Sequence, residues 1–162
     1  MRSEEFDRLY EEHAQALLGF LVYRTGERAL AEDLVADTFE RILRSRTRFD
    51  PRRGREKTWV YSIAMNCLRD HARRRSAEQR AVERHAAVGT EASGGGGIEL
   101  VEEHDRLSRG LEALSPEERE AVALRYGADL TIREIARVLD ERVSTVEGRV
   151  YRALRKLREE ID

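Results

Sequence analysis

The sequence predicts an all-α fold of two small helical domains joined by a flexible glycine-rich linker. Three observations carry this. Apolar residues recur at three- and four-residue intervals along most of the chain, the helical period rather than the alternation of a strand. Proline occurs only twice in 162 residues, while Leu, Ala, Arg and Glu, all strong helix formers, dominate. The run VGTEASGGGG at 88–97 interrupts the periodicity and divides the chain into residues 1–87 and 98–162.

The first helix is expected over residues 3–24, where Phe6, Leu9, Tyr10, His13, Leu17, Leu18 and Leu21 share one side. Thr25-Gly26 breaks it. The second is expected over 28–45, with Leu30, Leu34, Val35, Thr38, Phe39 and Ile42 turned one way. RTRFDPRRG at 46–54 follows as a loop, with Pro51 and Gly54 as breakers.

The third helix, expected over 56–75, has two unlike faces. Val60, Ile63, Ala64, Cys67, Leu68 and His71 form an apolar stripe. At about 100° per residue, Ser62, Asn66, Arg69 and Arg73 lie opposite, with Trp59 on one margin and Tyr61 and Met65 on the other. The pattern weakens through SAEQRAVERHAA, 76–87, where the helix is expected to continue.

After the linker, Leu100, Leu107, Leu111 and Leu114 mark another amphipathic helix. Three capping boxes follow: Ser115-Pro116-Glu117-Glu118, Thr131-Ile132-Arg133-Glu134 and Ser144-Thr145-Val146-Glu147. They predict helices over 116–126, 132–139 and 145–160. A short helix, a tight turn at DERVS and a longer basic helix make a helix-turn-helix. On the last helix Val146, Val150, Leu154, Leu157 and Ile161 form the expected buried stripe. Thr145, Gly148, Arg149, Arg152 and Lys156 lie away from it.

The net charge of −2 conceals segregation. Residues 1–40 carry four Lys/Arg and ten Asp/Glu, and residues 41–75 carry twelve and three. Residues 91–120 carry three and nine, and residues 145–158 carry five and one. This is the pattern either of solvated helix faces or of two polyanion contacts flanked by acidic surfaces for other partners. The chemistry at the two basic zones differs. Aromatic rings beside a cationic groove suit unpaired bases and their phosphates, although Trp59 taken alone fits a core position equally well. A cationic N-terminal half on the second helix of a helix-turn-helix suits the major groove, where arginine reads guanine or clamps phosphate. Glu147 either accepts from a base or closes the capping box on Ser144, and the local capping role is the simpler.

Other classes are not expected. No apolar run approaches the roughly 20 residues of a membrane span. The acidic, amphipathic MRSEEFDRLYEEH does not read as a signal peptide, and the single Cys67 fits a reducing cytosol without an internal disulfide. The glycine run lacks the Gly-Lys-Ser/Thr of a phosphate loop. His13, His71, His85 and His104 are scattered with no Cys-x-x-Cys, so no catalytic residue, metal or cofactor is expected.

AEDLVADTFERIL at 31–43, RFDPRRG at 48–54, TWVYSIAMNCLRDHARRR at 58–75 and LSPEEREAVALRYGADLTIREIARVLDERVSTVEGRVYRALRKLRE at 114–159 together resemble the extracytoplasmic-function sigma factors of bacterial RNA polymerase. The resemblance covers nearly the whole chain except the linker. It implies a cytoplasmic, non-enzymatic subunit that directs core RNA polymerase to promoter DNA, reads −10 and −35 elements, helps melting and is held by an anti-sigma factor. It implies core docking through Asp33, Asp37 and Glu40, with Leu34 and Phe39 packing nearby. It implies −10 single-strand contacts from Phe49, Arg53, Lys57, Trp59, Tyr61, Asn66, Arg69 and Arg73. Arg125, Thr131, Arg133, Thr145, Glu147, Gly148, Arg149 and Arg152 fall in the −35 reader. The chain departs from the family pattern at Glu56, Asp140, Glu147 and Gly148. A stand-alone helix-turn-helix regulator is one rival, and a diverged relative that mainly binds a regulator is another. The first leaves the aromatic-cationic helix and the acidic 31–40 stretch unexplained.

Overall fold

The computed structural model describes residues 3–45, 49–83 and 109–161. Helix α1 spans Ser3–Thr25 and α2 spans Arg28–Arg44. A 3-10 turn at Pro51–Arg53 leads into α3, Glu56–Glu83. Helix α4, Pro116–Val122, runs on into a π turn at Ala123–Gly127, and α5 (Ile132–Leu139) and α6 (Val143–Ile161) complete the chain. Among the described residues there is no strand. The linker expected at 88–97, with Leu100, Leu107, His85 and His104, lies outside them.

The first body is a three-helix bundle. Gly26, at φ +72°, takes the left-handed position that ends α1, and its amide donates to Val22 O over 2.8 Å. Helix α2 then folds back, burying Ala31, Leu34, Val35, Thr38, Phe39 and Ile42. Thr38 stays in the core because its hydroxyl donates to Leu34 O at 2.6 Å. Arg41 Nη2 donates to Asp70 Oδ2 over 2.8 Å and ties α2 to α3.

Helix α3 corrects the sequence reading on one margin. Val60, Ala64, Cys67 and Leu68 are buried as expected, but so are Tyr61 and Met65, while Ile63 and His71 are only half-buried. Phe20 of α1 closes over that side and meets Tyr61 with ring centroids 5.5 Å apart. An aromatic margin therefore survives only on the Trp59 side.

In the second body the first two capping boxes form as expected, Glu118 N to Ser115 Oγ at 3.1 Å and Glu134 N to Thr131 Oγ1 at 3.2 Å, each with the reciprocal carboxylate bond. The third does not form. Helix α6 starts at Val143, with Thr145 and Val146 amides donating to Arg142 O, so Ser144 already lies inside the first turn. Glu147 is exposed and caps nothing. Leu114, Leu124, Leu130, Ile135, Val138, Val146, Val150 and Ala153 fill the core. Asp140 closes α5 in the left-handed conformation, φ 53° and ψ 48°, a place where glycine is the usual occupant.

The two bodies pack on each other, chiefly α3 against α5, and their buried side chains form one continuous cluster. A linker read from composition gives no hint of this closure.

Candidate nucleic-acid interface

The loop before α3 builds the first part of the site. Asp50 caps the 3-10 turn by accepting from Arg52 N at 3.0 Å, which sets the direction in which Phe49 enters. The Phe49 and Trp59 rings stand 5.8 Å apart, tilted by 41°, and both are half-buried. They form one wall of a cleft of about 440 Å³ that Arg53, Arg55, Ser62 and Arg137 also line. Two aromatic faces beside guanidinium groups offer stacking and phosphate contact in one place.

The rest of the predicted single-strand set divides. Asn66 and Arg73 are exposed along α3. Arg69 donates to Asn66 Oδ1 at 3.3 Å and, across the gap between bodies, to Leu139 O at 2.9 Å. Lys57 Nζ reaches Ala128 O at 2.9 Å. Tyr61 is not part of the surface. It is 1% exposed, and burial pushes its hydroxyl pKa up to about 12.

The predicted duplex set clusters on α6 and the start of α5. Thr145, Gly148, Arg149 and Arg152 fall at i, i+3, i+4 and i+7 and so share a face. Arg149 is held back by Glu141 Oε1 at 3.1 Å, whereas Arg152 is mostly free, 3.8 Å from Glu118. At Gly148 a Cβ would sit 3.0 Å from Arg152 Nη1, so this glycine lets the guanidinium fold against the helix. Thr131 and Arg133 are exposed at the head of α5, and Arg125 bonds Leu130 O at 3.3 Å. Burial raises the pKa of Glu118, but Lys156, the Ser115 amide and Arg152 outweigh it and the net shift is downward. Glu118 thereby fastens α4 to α6.

The predicted docking helix also divides. Asp33, Asp37 and Glu40 are exposed on α2, while Leu34 and Phe39 turn inward, so neither presents a free apolar face. What the sequence did not show is the contribution of α1. Tyr10 packs against Phe39 at 4.9 Å, and a cleft of about 780 Å³ opens between the helices with Phe6, Tyr10 and Leu43 inside and Glu11, Glu32 and Glu40 at its edge.

Four further residues were missed because their partners lie far away in sequence. Arg55 donates through Nε and Nη2 to both oxygens of Glu134, each at 2.7 Å. Thr58 Oγ1 donates to Glu134 Oε2 at 2.6 Å, and Arg137 donates to Arg53 O. Nothing in the local pattern marks such pairs. Glu56, a departure from the family pattern, also gains a role: it accepts from Arg8 at 2.9 Å and lies 3.3 Å from His13 Nε2. Arg8 holds the Glu56 pKa below its ordinary value. Glu12, His13 and Glu56 are close enough together for a cation, and the Arg8 guanidinium serves as one there.

No helix among the described residues is long and apolar enough to cross a membrane. Family profiles match two segments, Sigma-70 region 2 over residues 9–78 and Sigma-70 region 4 over residues 104–157. The chain is 33% identical to the RNA polymerase sigma factor CarQ of Myxococcus xanthus, over 96% of this chain and 88% of that one. It is 30% identical to the ECF RNA polymerase sigma factor BldN of Streptomyces coelicolor over 96% of its own length, but spans only 60% of BldN. Its fold is similar to that of the sigma factor RpoE solved in complex with the anti-sigma factor NepR from Bartonella quintana, with a TM-score of 0.75 and 23% identity over 98% of this chain and 97% of that one. Two regions in the same order, with relatedness running through both, place the chain among the sigma-70 proteins: it belongs to the extracytoplasmic-function (ECF) group of RNA polymerase sigma factors.

Proposed function

We propose that the chain is a non-enzymatic, cytoplasmic initiation subunit that carries core RNA polymerase to promoters, docks on duplex −35 DNA through α6 and holds the opened −10 strand along α3. The observation that carries this reading is the Phe49–Trp59 pair walling a cleft at the head of a helix whose exposed stripe is Asn66 and Arg73. Unpaired bases stack on rings, and phosphates follow guanidinium groups. The binding energy of captured bases then offsets part of the cost of melting, while core polymerase carries out the phosphoryl transfer.

Arg149, Arg152 and Thr145 are the residues we assign to the −35 duplex, with Arg125, Thr131 and Arg133 on its backbone. Glu147 is free of a capping role, which favours a contact with a base over the local one. The acidic edge of Asp33, Asp37 and Glu40 beside the apolar cleft of α1 and α2 suits a basic, partly apolar helical surface on core polymerase. A regulator of the anti-sigma kind, such as the one bound to RpoE of Bartonella quintana, is the third partner of this reading.

Run-off transcription with purified bacterial core polymerase on pooled templates from the source genome tests it. Start sites that depend on adding the chain support the reading. Their absence, with core binding intact, leaves only a protein that binds polymerase.

A further inference from the structure

The seam between the two bodies uses the residues that the proposed function needs elsewhere. On one side stand Arg53, Arg55, Lys57, Thr58 and Arg69, at the mouth and along the flank of the proposed single-strand groove. On the other stand Ala128, Asp129, Glu134, Arg137 and Leu139, around the helix-turn-helix. Lys57 and Arg69 donate to the carbonyls of Ala128 and Leu139 at 2.9 Å each, and Arg55 Nη2 also reaches Asp129 O at 3.3 Å. Leu139 closes α5, so Arg69 lies at the negative end of a helix. Gly54, at φ +143°, lets Arg137 come so close that a Cβ would stand 3.1 Å from its Nη1.

At the centre is the Arg55–Glu134 fork, closed by Thr58. A guanidinium that grips a carboxylate through two parallel bonds presents the geometry it would present to a phosphate. Arg55 also lines the Phe49–Trp59 cleft. The polar contacts of the seam are of a kind that can come apart, although buried apolar side chains of the two bodies also form one cluster. Each of the hydrogen bonds just described involves a charged side chain, and such contacts weaken in salt. Arg24 of α1 and Glu120 of α4 add one more ion pair between the bodies, Nε to Oε2 at 3.5 Å.

We infer that Arg55, with Thr58 and Lys57, is a backbone-phosphate site of the single-strand groove, and that the Glu134 carboxylate occupies this site within the closed chain, so that closure and strand binding exclude each other. This rests on the reading of α3 as the strand-binding helix. In the closed chain the helix-turn-helix serves as an internal competitor for the strand. Glu134 is suited to that task because the same residue caps α5: its position is fixed by Thr131 before it meets Arg55.

The test uses the full chain and a fluorescein-labelled oligothymidine strand, chosen because no promoter sequence is assumed. Glu134→Gln keeps a side chain that still completes the capping box but loses the charge that Arg55 grips. Small-angle scattering is expected to show a compact wild type and an expanded variant. Anisotropy is expected to show the variant binding the strand about three- to tenfold more tightly, as release of a closed population requires. Adding Arg55→Gln to that variant lowers affinity again and flattens the log–log salt slope by about 0.7, one phosphate contact on single-stranded DNA.

A Glu134→Gln chain as compact as wild type overturns the latch. An expanded variant with unchanged strand affinity, or an Arg55→Gln change that leaves the salt slope intact, overturns the phosphate site. Run-off transcription separates these failures from that of the proposed function: loss of chain-dependent initiation in the wild type refutes the initiation reading, while the scattering and anisotropy arms still decide the latch.

Discussion

Tyr61 meets Phe20 edge-on inside the first body, ring centroids 5.5 Å apart and planes at 66°. The pair shows what separates a surface aromatic from a core one on α3. Trp59 and Tyr61 are two residues apart and so point in directions about 200° from each other. One faces the loop of Phe49, the other the bundle. Truncating Tyr61 to Ala is expected to cost about 3–5 kcal/mol of stability by leaving a large cavity, read as a lower urea midpoint. Tyr61→Phe is expected to melt within a few degrees of wild type and to leave strand binding unchanged. Loss of strand affinity in a folded Tyr61→Phe chain would return this residue to the interface.

Asp140 holds a left-handed backbone, φ 53°, at the end of α5. A side chain there is strained relative to glycine, though aspartate tolerates it better than most. Asp140→Gly is expected to stabilise the second body by up to about 1 kcal/mol, the relief of strain being partly offset by added freedom in the unfolded chain. Thermal or urea unfolding measures it. The tight turn itself, and the angle between α5 and α6, should not change.

The acid limb of stability has a defined owner at the seam. Arg55 draws the Glu134 pKa down to about 2 from an ordinary 4.5, against the opposing effect of burial and with help from Thr58 and Thr131. A carboxylate depressed in the folded state contributes stability that is complete above its unfolded pKa and drains away as pH falls through its folded one. The stability difference between wild type and Glu134→Gln is therefore expected to be full at neutral pH and to shrink between pH 4.5 and about 2. Glu120 runs the other way. Burial raises its pKa, while Arg24, Arg69 and Arg149 pull it down without prevailing. Its cost is absent below its unfolded pKa and appears as pH rises above it, so Glu120→Gln should raise stability at neutral pH and leave the acid limb that Glu134 governs unchanged. Urea unfolding at stepped pH checks both signs.

The helices were legible because each announces itself locally. The Ser115 and Thr131 capping boxes sit where sequence placed them, and α5 begins and ends at the expected residues. The third box failed because a capping pattern needs its first residue outside the helix, and the chain turns helical two residues earlier than expected, at Val143. The opposite stripe of α3 was legible at Asn66 and Arg73, which are exposed and bond only to neighbours on their own helix, and illegible at Tyr61 and Met65. Periodicity reports that a face is apolar, but the width of the buried arc depends on what packs there, and Phe20 comes from another helix. Glu56 looked like a departure and proved to be the acceptor that joins Arg8 and His13 of α1 to the head of α3. The seam was invisible for a plainer reason: Arg55 and Glu134 are 79 residues apart, and no local rule links a basic loop to a capping glutamate.

Glu56 makes a testable claim of its own. Replacing it with Ala leaves His13, 6% exposed, without its carboxylate partner and frees the start of α3 from α1. The expected cost is about 1–3 kcal/mol, the price of an orphaned buried polar group, read as a lower unfolding midpoint. Glu56→Gln, which can still accept from Arg8, should recover part of it.

The two bodies should fail in different ways when their interfaces are cut. Trp59→Ala removes one wall of the Phe49 cleft, and Asn66→Ala removes an exposed hydrogen-bonding group on α3; neither touches the acidic edge of α2. Both variants are expected to bind core polymerase normally and to form fewer open complexes, seen as weaker permanganate reactivity of unpaired thymines. Arg149→Ala acts earlier. It is expected to cost about 1–3 kcal/mol of promoter affinity before any melting, and to do so only on templates that carry the upstream element. Because Glu141 already holds Arg149 at 3.1 Å, part of that contact must be broken for the arginine to reach DNA, so Glu141→Ala should strengthen duplex binding in the same assay. If Trp59→Ala and Asn66→Ala open promoters as well as wild type does, α3 is not the strand-binding helix.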